Sequence, residues 1–226
     1  MLFRSLVRLS GGASRETFRF VADGRPLVLQ RQRAGDPRDM GVETAVLRAA
    51  RAAGVPVAAV VDADHRPSDL GRAFMVLEAI DGETIARRIL RDDGFAVARD
   101  RFVAEVGHAL ARIHAADVTG VSGLLETDQV TQCRELLDAT GAAHPAFELA
   151  LRWLEQHRPA SSPPRLVHGD FRLGNMVVAS DGLRAVLDWE LAHLGDPAED
   201  LGWLCVRAWR FGGRGEVAGL GSIEEL

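Results

Sequence analysis

The chain has 226 residues, 47% of them apolar and 26% charged, and carries a net charge of -5. That length can bury a core in one domain or two small lobes, and an acidic balance without any basic run argues against nucleic acid as a partner. No apolar run approaches the roughly 18 to 20 residues of a spanning helix, which argues against a membrane, and Cys133 and Cys205 stand apart like reduced thiols, so the reading is a cytoplasmic protein.

From the N-terminus, Leu2 to Leu9 fits a short strand, Ser10 to Ser14 a small-residue turn, and Thr17 to Val21 and Leu27 to Arg31 two further strands of an antiparallel sheet. A glycine-rich turn between strands lets backbone N–H groups approach phosphate oxygens, which singles out Gly11, Gly12, Ala13 and Ser14. Asp39 to Ala53 has helical spacing and stops at Gly54 with Pro56 behind it; Glu43 lies close to its apolar stripe. Val57 to Val61 and Ala73 to Leu77 read as two more strands, the second running into Glu78, Ile80 and Gly82.

Beyond Gly82 the pattern turns helical. Segments 82–91, 96–116, 127–139 and 145–157 all carry helical spacing, the second with Phe102, Val106, Leu110 and Ile113 on one face. His108 and His114 fall six apart on that helix, a spacing that does not share a face, so both read as structural. The stretch from Asp117 to His157 holds seven acidic residues against two arginines, an acidic wall or a solvated face.

The densest chemistry lies between Leu166 and Glu190. His168-Gly169-Asp170 is followed by Asn175, an apolar strand from Met176 to Val178, a turn at Ser180 to Gly182, and a second strand leading to Asp188-Trp189-Glu190. Two carboxylates and an amide oxygen on tight turns suit Mg²⁺, and one aspartate is left to orient a hydroxyl for attack on a phosphate. Further on, Asp196, Pro197 and Glu199 have the form of a capping box with Asp200 one residue beyond it, and Ser222 to Glu225 has the form of a second box.

His168-Gly169-Asp170 with Asn175 and Asp188 resembles the catalytic and metal-binding segment of the aminoglycoside phosphotransferase and choline kinase family. The phrase from Leu9 to Thr17 and the Asp188-Trp189-Glu190 motif look most like the branch associated with acyl-CoA dehydrogenases. The resemblance implies an α+β, two-lobed protein-kinase-like fold. A small antiparallel β lobe would span 1–80 and a mostly helical lobe 81–226, the latter incomplete at its C-terminal end.

It also implies an enzyme that uses ATP and Mg²⁺ to phosphorylate a hydroxyl of a small molecule, a hydroxyacyl-CoA for that branch. In that frame Asp170 is the catalytic base, Asn175 and Asp188 hold Mg²⁺, Gly11, Gly12, Ala13 and Ser14 cover the phosphates, and main chain near Glu78 and Ile80 meets adenine. The family's strand-three lysine has no counterpart, because all 27 basic residues are arginine. Arg31 or its neighbour Gln30 takes that position, and Glu43 is the partner of such a cation. Glu190 is left between supporting Asp188 and a second metal, and Asp200 takes the place of the aspartate that anchors the catalytic-loop backbone in kinase-like folds. Aminoglycosides or amino alcohols as acceptors, a nucleotide-binding pseudokinase or inactive fragment, and protein-kinase activity are the alternatives; oligomeric state is open.

Overall fold

Strand alternation and the turn before Arg25 build the first layer. The computed structural model describes residues 3–9, 15–66, 70–158 and 163–226. β1 (Phe3–Arg8), β2 (Arg15–Ala22), β3 (Arg25–Gln32), β4 (Val60–Asp64) and β5 (Phe74–Glu78) form one antiparallel sheet in the order β1-β2-β3-β5-β4. Phe20, Ala22 and Leu27 make a small apolar cluster on this sheet. Met75 and Leu77, two apart and therefore on one face, turn instead toward α1 (Met40–Ala52) and its buried Val46, Leu47 and Ala50. Asp39 starts α1 by accepting the Gly41 N–H at 2.7 Å.

The strand expected over 57–61 lies instead over Val60–Asp64. Val57 and Ala58 are buried, and the Pro56 carbonyl takes the Val186 N–H at 2.8 Å, so this stretch is tied to a distant hairpin before it can pair with β5. The helix expected from Gly82 also starts later, as α2 (Ala86–Arg91). Glu83 exchanges both main-chain hydrogen bonds with Val178, and Gly82 has φ +155°, with Val177 Cγ1 only 2.5 Å from where a Cβ would stand. Glycine is what allows the chain to cross so close to that hairpin.

α3 (Ala96–His114) is the central helix; its Phe102, Val106, Leu110 and Ile113 are buried and continue the core begun under the sheet. α4 (Gln129–Thr140) and α5 (Pro145–Gln156) follow. Part of the acidic stretch is paired: Arg134 meets Glu148 and Glu155 of α5, and Arg158 grips Asp128, just before α4, through two bonds of 2.6 and 2.9 Å. No helix among the described residues is long and apolar enough to cross a membrane.

Two short strand pairs and a helix complete the described fold. β6 (Arg165–Val167) pairs with β9 (His193–Gly195), β7 (Met176–Ala179) with β8 (Gly182–Val186), and α6 (Ala198–Cys205) follows. The capping box expected at Asp196 does not form: α6 starts at Ala198 with Pro197 at the N-cap, Asp196 accepts the Ala198 N–H at 2.9 Å from one residue before it, and Glu199 does not close a box. Its carboxylate goes to His193 Nε2 at 3.1 Å and to Gln129 Nε2 at 3.0 Å. The second box does close, Glu225 accepting the Ser222 N–H at 2.8 Å over a single 3-10 turn.

Candidate functional site

The loop at His168 is fixed from below. Asp200, fully buried on α6, accepts the His168 N–H at 2.9 Å, the Gly169 N–H at 3.0 Å and His114 Nε2 at 3.1 Å. His168 is itself fully buried. Its Nδ1 accepts the Asp170 N–H at 3.2 Å, so Nε2 carries the proton and donates to the Leu187 carbonyl at 2.9 Å. Burial lowers the His168 pKa, which agrees with a neutral ring used as a brace. Phe171 and Trp189 pack edge-on against that ring. Gly169 has φ +81°, and a Cβ there would stand 2.6 Å from the Leu191 carbonyl oxygen, so no larger residue fits between His168 and Asp170.

Asp170 therefore leaves a rigid loop with its carboxylate already held. Oδ1 accepts from Arg172 Nε at 2.9 Å and Trp203 Nε1 at 2.6 Å, and Oδ2 from Asn175 Nδ2 at 2.6 Å. Arg172 is oriented in turn by stacking 4.6 Å from the Trp209 ring centroid. Arg172 and Trp203 were not anticipated from the sequence. Trp203 lies one helical turn beyond Asp200 at the i, i+3 spacing, which is the signal that could have placed it beside the loop.

The hairpin explains why Asn175 and Asp188 meet. Met176 pairs with Val186, and the Leu187 N–H donates to the Asn175 carbonyl at 2.8 Å, so the residues flanking β7 and β8 lie together at the open end. Asn175 spends Nδ2 on the Asp170 carbonyl and carboxylate, leaving Oδ1 as the atom for a cation. Asp188 adopts a left-handed backbone, φ +64°. Burial raises its carboxyl pKa to about 6, with Glu190 and Asp170 repelling it further. A hard divalent cation fits this set: an amide oxygen, a carboxylate that burial and like charges disfavour as an anion, and space for other oxygens. Among the described residues no three His, Cys, Asp or Glu side chains gather as a metal site, so water and phosphate would have to complete the shell.

The cation beside this hairpin differs from the expected one. Arg31 on β3 is one-third exposed and holds Glu16 through Nε at 2.9 Å and Nη2 at 2.6 Å, with Nη1 on the Leu70 carbonyl at 3.1 Å. Its pairing with Glu43 is thus corrected. The partner of Glu43 is Arg15, the first residue of β2, and both side chains are about 5% exposed. Arg15 Nε also stands 3.8 Å from Glu190, whose other oxygen takes Arg38 Nη1 at 2.6 Å. Glu43 is pushed up to about 7 because burial, joined by repulsion from Asp188 and Glu190, outweighs the attraction of an Arg15 charge shared with Glu190. Glu190 thus supports this cluster through the two arginines.

The remaining predicted positions are dispersed. Gly11, Gly12, Ala13 and Ser14 lie outside the described residues. Glu78 ends β5 with its N–H on the Ala59 carbonyl and its side chain on Arg25; Ile80 follows, and among the described residues its N–H has no main-chain partner. Asp170, Glu43 and Glu190 open onto one cleft of about 700 Å³, whose other walls include Val42, Leu191 and Trp203.

The model of the phosphotransferase enzyme family (APH) matches residues 5–221. The chain is 29% identical over 219 residues to mouse acyl-CoA dehydrogenase family member 10, covering 89% of this chain and 20% of that protein. To mouse acyl-CoA dehydrogenase family member 11 it is 29% identical over 220 residues, 88% of this chain and 28% of the relative. It therefore spans less than a third of the length of these relatives. Among solved structures, a putative aminoglycoside phosphotransferase from Ralstonia eutropha superposes with a TM-score of 0.71 at 24% identity, covering 97% of this chain and 68% of the other. The GDP complex of aminoglycoside 2'-phosphotransferase-IIIa gives 0.69 at 19% identity, covering 90% and 72%. These neighbours show the two-lobed kinase-like α+β fold, and the family match over nearly the whole chain establishes that it belongs to the phosphotransferase enzyme family.

Proposed function

We propose that this chain transfers the γ-phosphoryl group of Mg·ATP to a hydroxyl group of a small molecule. The observation that carries the reading is the convergence of Asp170, Asn175 and Asp188 at one hairpin end, on a loop whose backbone Asp200 fixes. Asp170 orients the acceptor hydroxyl and takes its proton as the hydroxyl oxygen bonds to the γ-phosphorus. The bond from that phosphorus to the β,γ-bridging oxygen breaks, and ADP leaves. Three donors already on the Asp170 carboxylate hold it in place, which suits a loose transition state that depends on positioning more than on proton abstraction.

Asn175 Oδ1 and the Asp188 carboxylate are the groups that would hold Mg²⁺, which supplies charge neutralisation at the phosphate oxygens. The loop 11–14 covering the phosphates, adenine on main chain near Glu78 and Ile80, a lobe boundary near residue 80 and a cytoplasmic location belong to the same proposal. A hydroxyacyl-CoA is the acceptor we favour. The acyl-CoA dehydrogenase names of the relatives and the apolar Val42, Val46, Leu125 and Leu191 of the cleft wall support it. The carboxylates of Glu190 and Glu199 in the same cleft favour a second reading, a cationic acceptor; structural relatives were solved with kanamycin and with hygromycin B.

Calorimetric titration of ATP with and without Mg²⁺, on the parent and Asp188→Asn, tests the reading. Mg²⁺-dependent binding that the substitution weakens is the expected result. Nucleotide at about 100 times its dissociation constant should also stabilise the fold by about 2.7 kcal/mol. ADP release is then followed with hydroxyacyl-CoA, kanamycin and choline, using Asp170→Asn as the inactive control. A folded protein that binds no nucleotide sinks the kinase reading, whereas binding without turnover on any acceptor supports a pseudokinase.

A further inference from the structure

Within that reading, on which this inference rests, we propose that Arg15 is the cation that grips the nucleotide's phosphates, so that the role has moved from β3 to the first residue of β2. Three observations carry it. The sequence has no lysine, and the β3 positions where such a cation was expected hold neutral Gln30 and Arg31. Arg31 spends Nε, Nη1 and Nη2 on Glu16 and Leu70, on a partly exposed part of the sheet.

Arg15 is the opposite case. Its side chain is 5% exposed, only Nη2 is hydrogen-bonded, to Glu43, and the buried Nε and Nη1 have no hydrogen-bond partner. A buried donor left unpaired costs on the order of 1 to 3 kcal/mol, and a well-folded site rarely keeps two on one side chain without a ligand to meet them.

The surroundings say what kind of ligand that is. The nearest unsatisfied acceptor, Glu190 Oε2, stands 3.8 Å from Arg15 Nε, too far for a hydrogen bond but close enough to keep the guanidinium at the mouth of the Asp188 hairpin. Glu43 on α1 fixes the fork from behind. A guanidinium whose Nε–H and Nη1–H groups stay open on the two sides of the Nη2 held by Glu43, beside an expected divalent cation, matches a polyphosphate, whose separate oxygens can meet the two donors one each.

The test compares Mg·ATP, adenosine and inorganic tripolyphosphate as calorimetric probes. The proteins are the parent, Arg15→Gln, Arg31→Gln and the double variant Arg15→Gln/Glu43→Gln. The double variant removes both members of the buried pair, so it remains informative where the single change leaves Glu43 charged and unfolds the protein. Expected is a loss of at least tenfold in ATP and tripolyphosphate affinity on removing Arg15, with adenosine within twofold of the parent and Arg31→Gln unchanged for all three. ATP binding at parental affinity in the folded double variant overturns the proposal, as does a loss confined to Arg31→Gln. If the parent binds tripolyphosphate through Arg15 but does not prefer ATP, the grip stands and the nucleotide reading fails. If the parent binds neither probe, both fail.

Discussion

The loop around His168 and the cluster around Arg15 are both buried and polar, yet they are finished to different degrees. In the loop, Asp200 takes three donors, His168 uses both ring nitrogens, and Asp170 accepts from three side chains. In the cluster, Arg15 Nε and Nη1, Glu190 Oε2 and the Oδ2 of Asp36, whose Oδ1 takes Arg38 Nε at 2.8 Å, are buried without hydrogen bonds, and the carboxyls of Glu43 and Asp188 are pushed upward. One region is complete without a ligand; the other is complementary to charges that only a ligand brings. A kinase-like site needs both, because a fixed base is useful only where phosphates can be exchanged at every turnover.

The largest effect should come from breaking the finished region. Asp200→Ala leaves two buried main-chain N–H groups and His114 without their acceptor, and should cost about 3 to 5 kcal/mol of stability, read as a drop in denaturation midpoint. An unchanged midpoint would show that the loop does not depend on this anchor.

Next comes the pH dependence of the unfinished region. Glu43 is raised from its ordinary value to about 7, so between about pH 4.5 and 7 the folded chain binds more protons than the unfolded one. Its contribution to stability is therefore greatest at the acidic end of that window and falls as pH rises through it, by roughly 3 kcal/mol. Urea midpoints of the ligand-free parent and Glu43→Gln across the window should converge or diverge with that slope; parallel profiles would refute it.

A smaller effect is expected at Asp170, the proposed base. Trp203→Phe removes the 2.6 Å donor to Asp170 while keeping an aromatic ring, and should change kcat by several-fold with little change in ATP affinity. A change confined to KM would place Trp203 in acceptor binding instead. Smallest of all, Arg31→Gln breaks a partly exposed pair with Glu16 and should cost less than about 1 kcal/mol. A loss larger than that in thermal unfolding would mean that Arg31 holds more than Glu16.

These two regions were also unequally legible in the sequence. The loop and hairpin lie within 23 consecutive residues, Asp170 to Glu190 with His168 before them, so their spacing alone set the register that the β7–β8 pairing shows. Asp200 was within reach only through the resemblance to kinase-like folds, which place such an aspartate on the helix after the hairpin, since no spacing relates it to His168. The cluster is assembled from β2, the segment before α1, α1 itself and the residues after β8, and no local period relates Arg15 to Glu43 or Arg38 to Glu190. The expectation for Arg31 followed strand position; Glu16, opposite it in the β2–β3 register, competes for that side chain. Glu199 failed as a capping residue for a related reason, since His193 and Gln129 offered it partners that a four-residue pattern cannot see. Strand β4 was misplaced because burial at Val57 and Ala58 looks the same in sequence whether it comes from sheet pairing or from packing near Pro56.

The left-handed backbone at Asp188 bears on how its role can be assayed. Aspartate and asparagine tolerate that conformation, whereas alanine or glutamate placed there bears a penalty of about 1 kcal/mol before any charge is considered. Alanine scanning would therefore mix a conformational defect with the loss of a ligand and overstate the latter. Asparagine keeps the backbone and most of the shape, and glycine keeps the backbone alone, so the difference between those two variants isolates the side chain's own contribution.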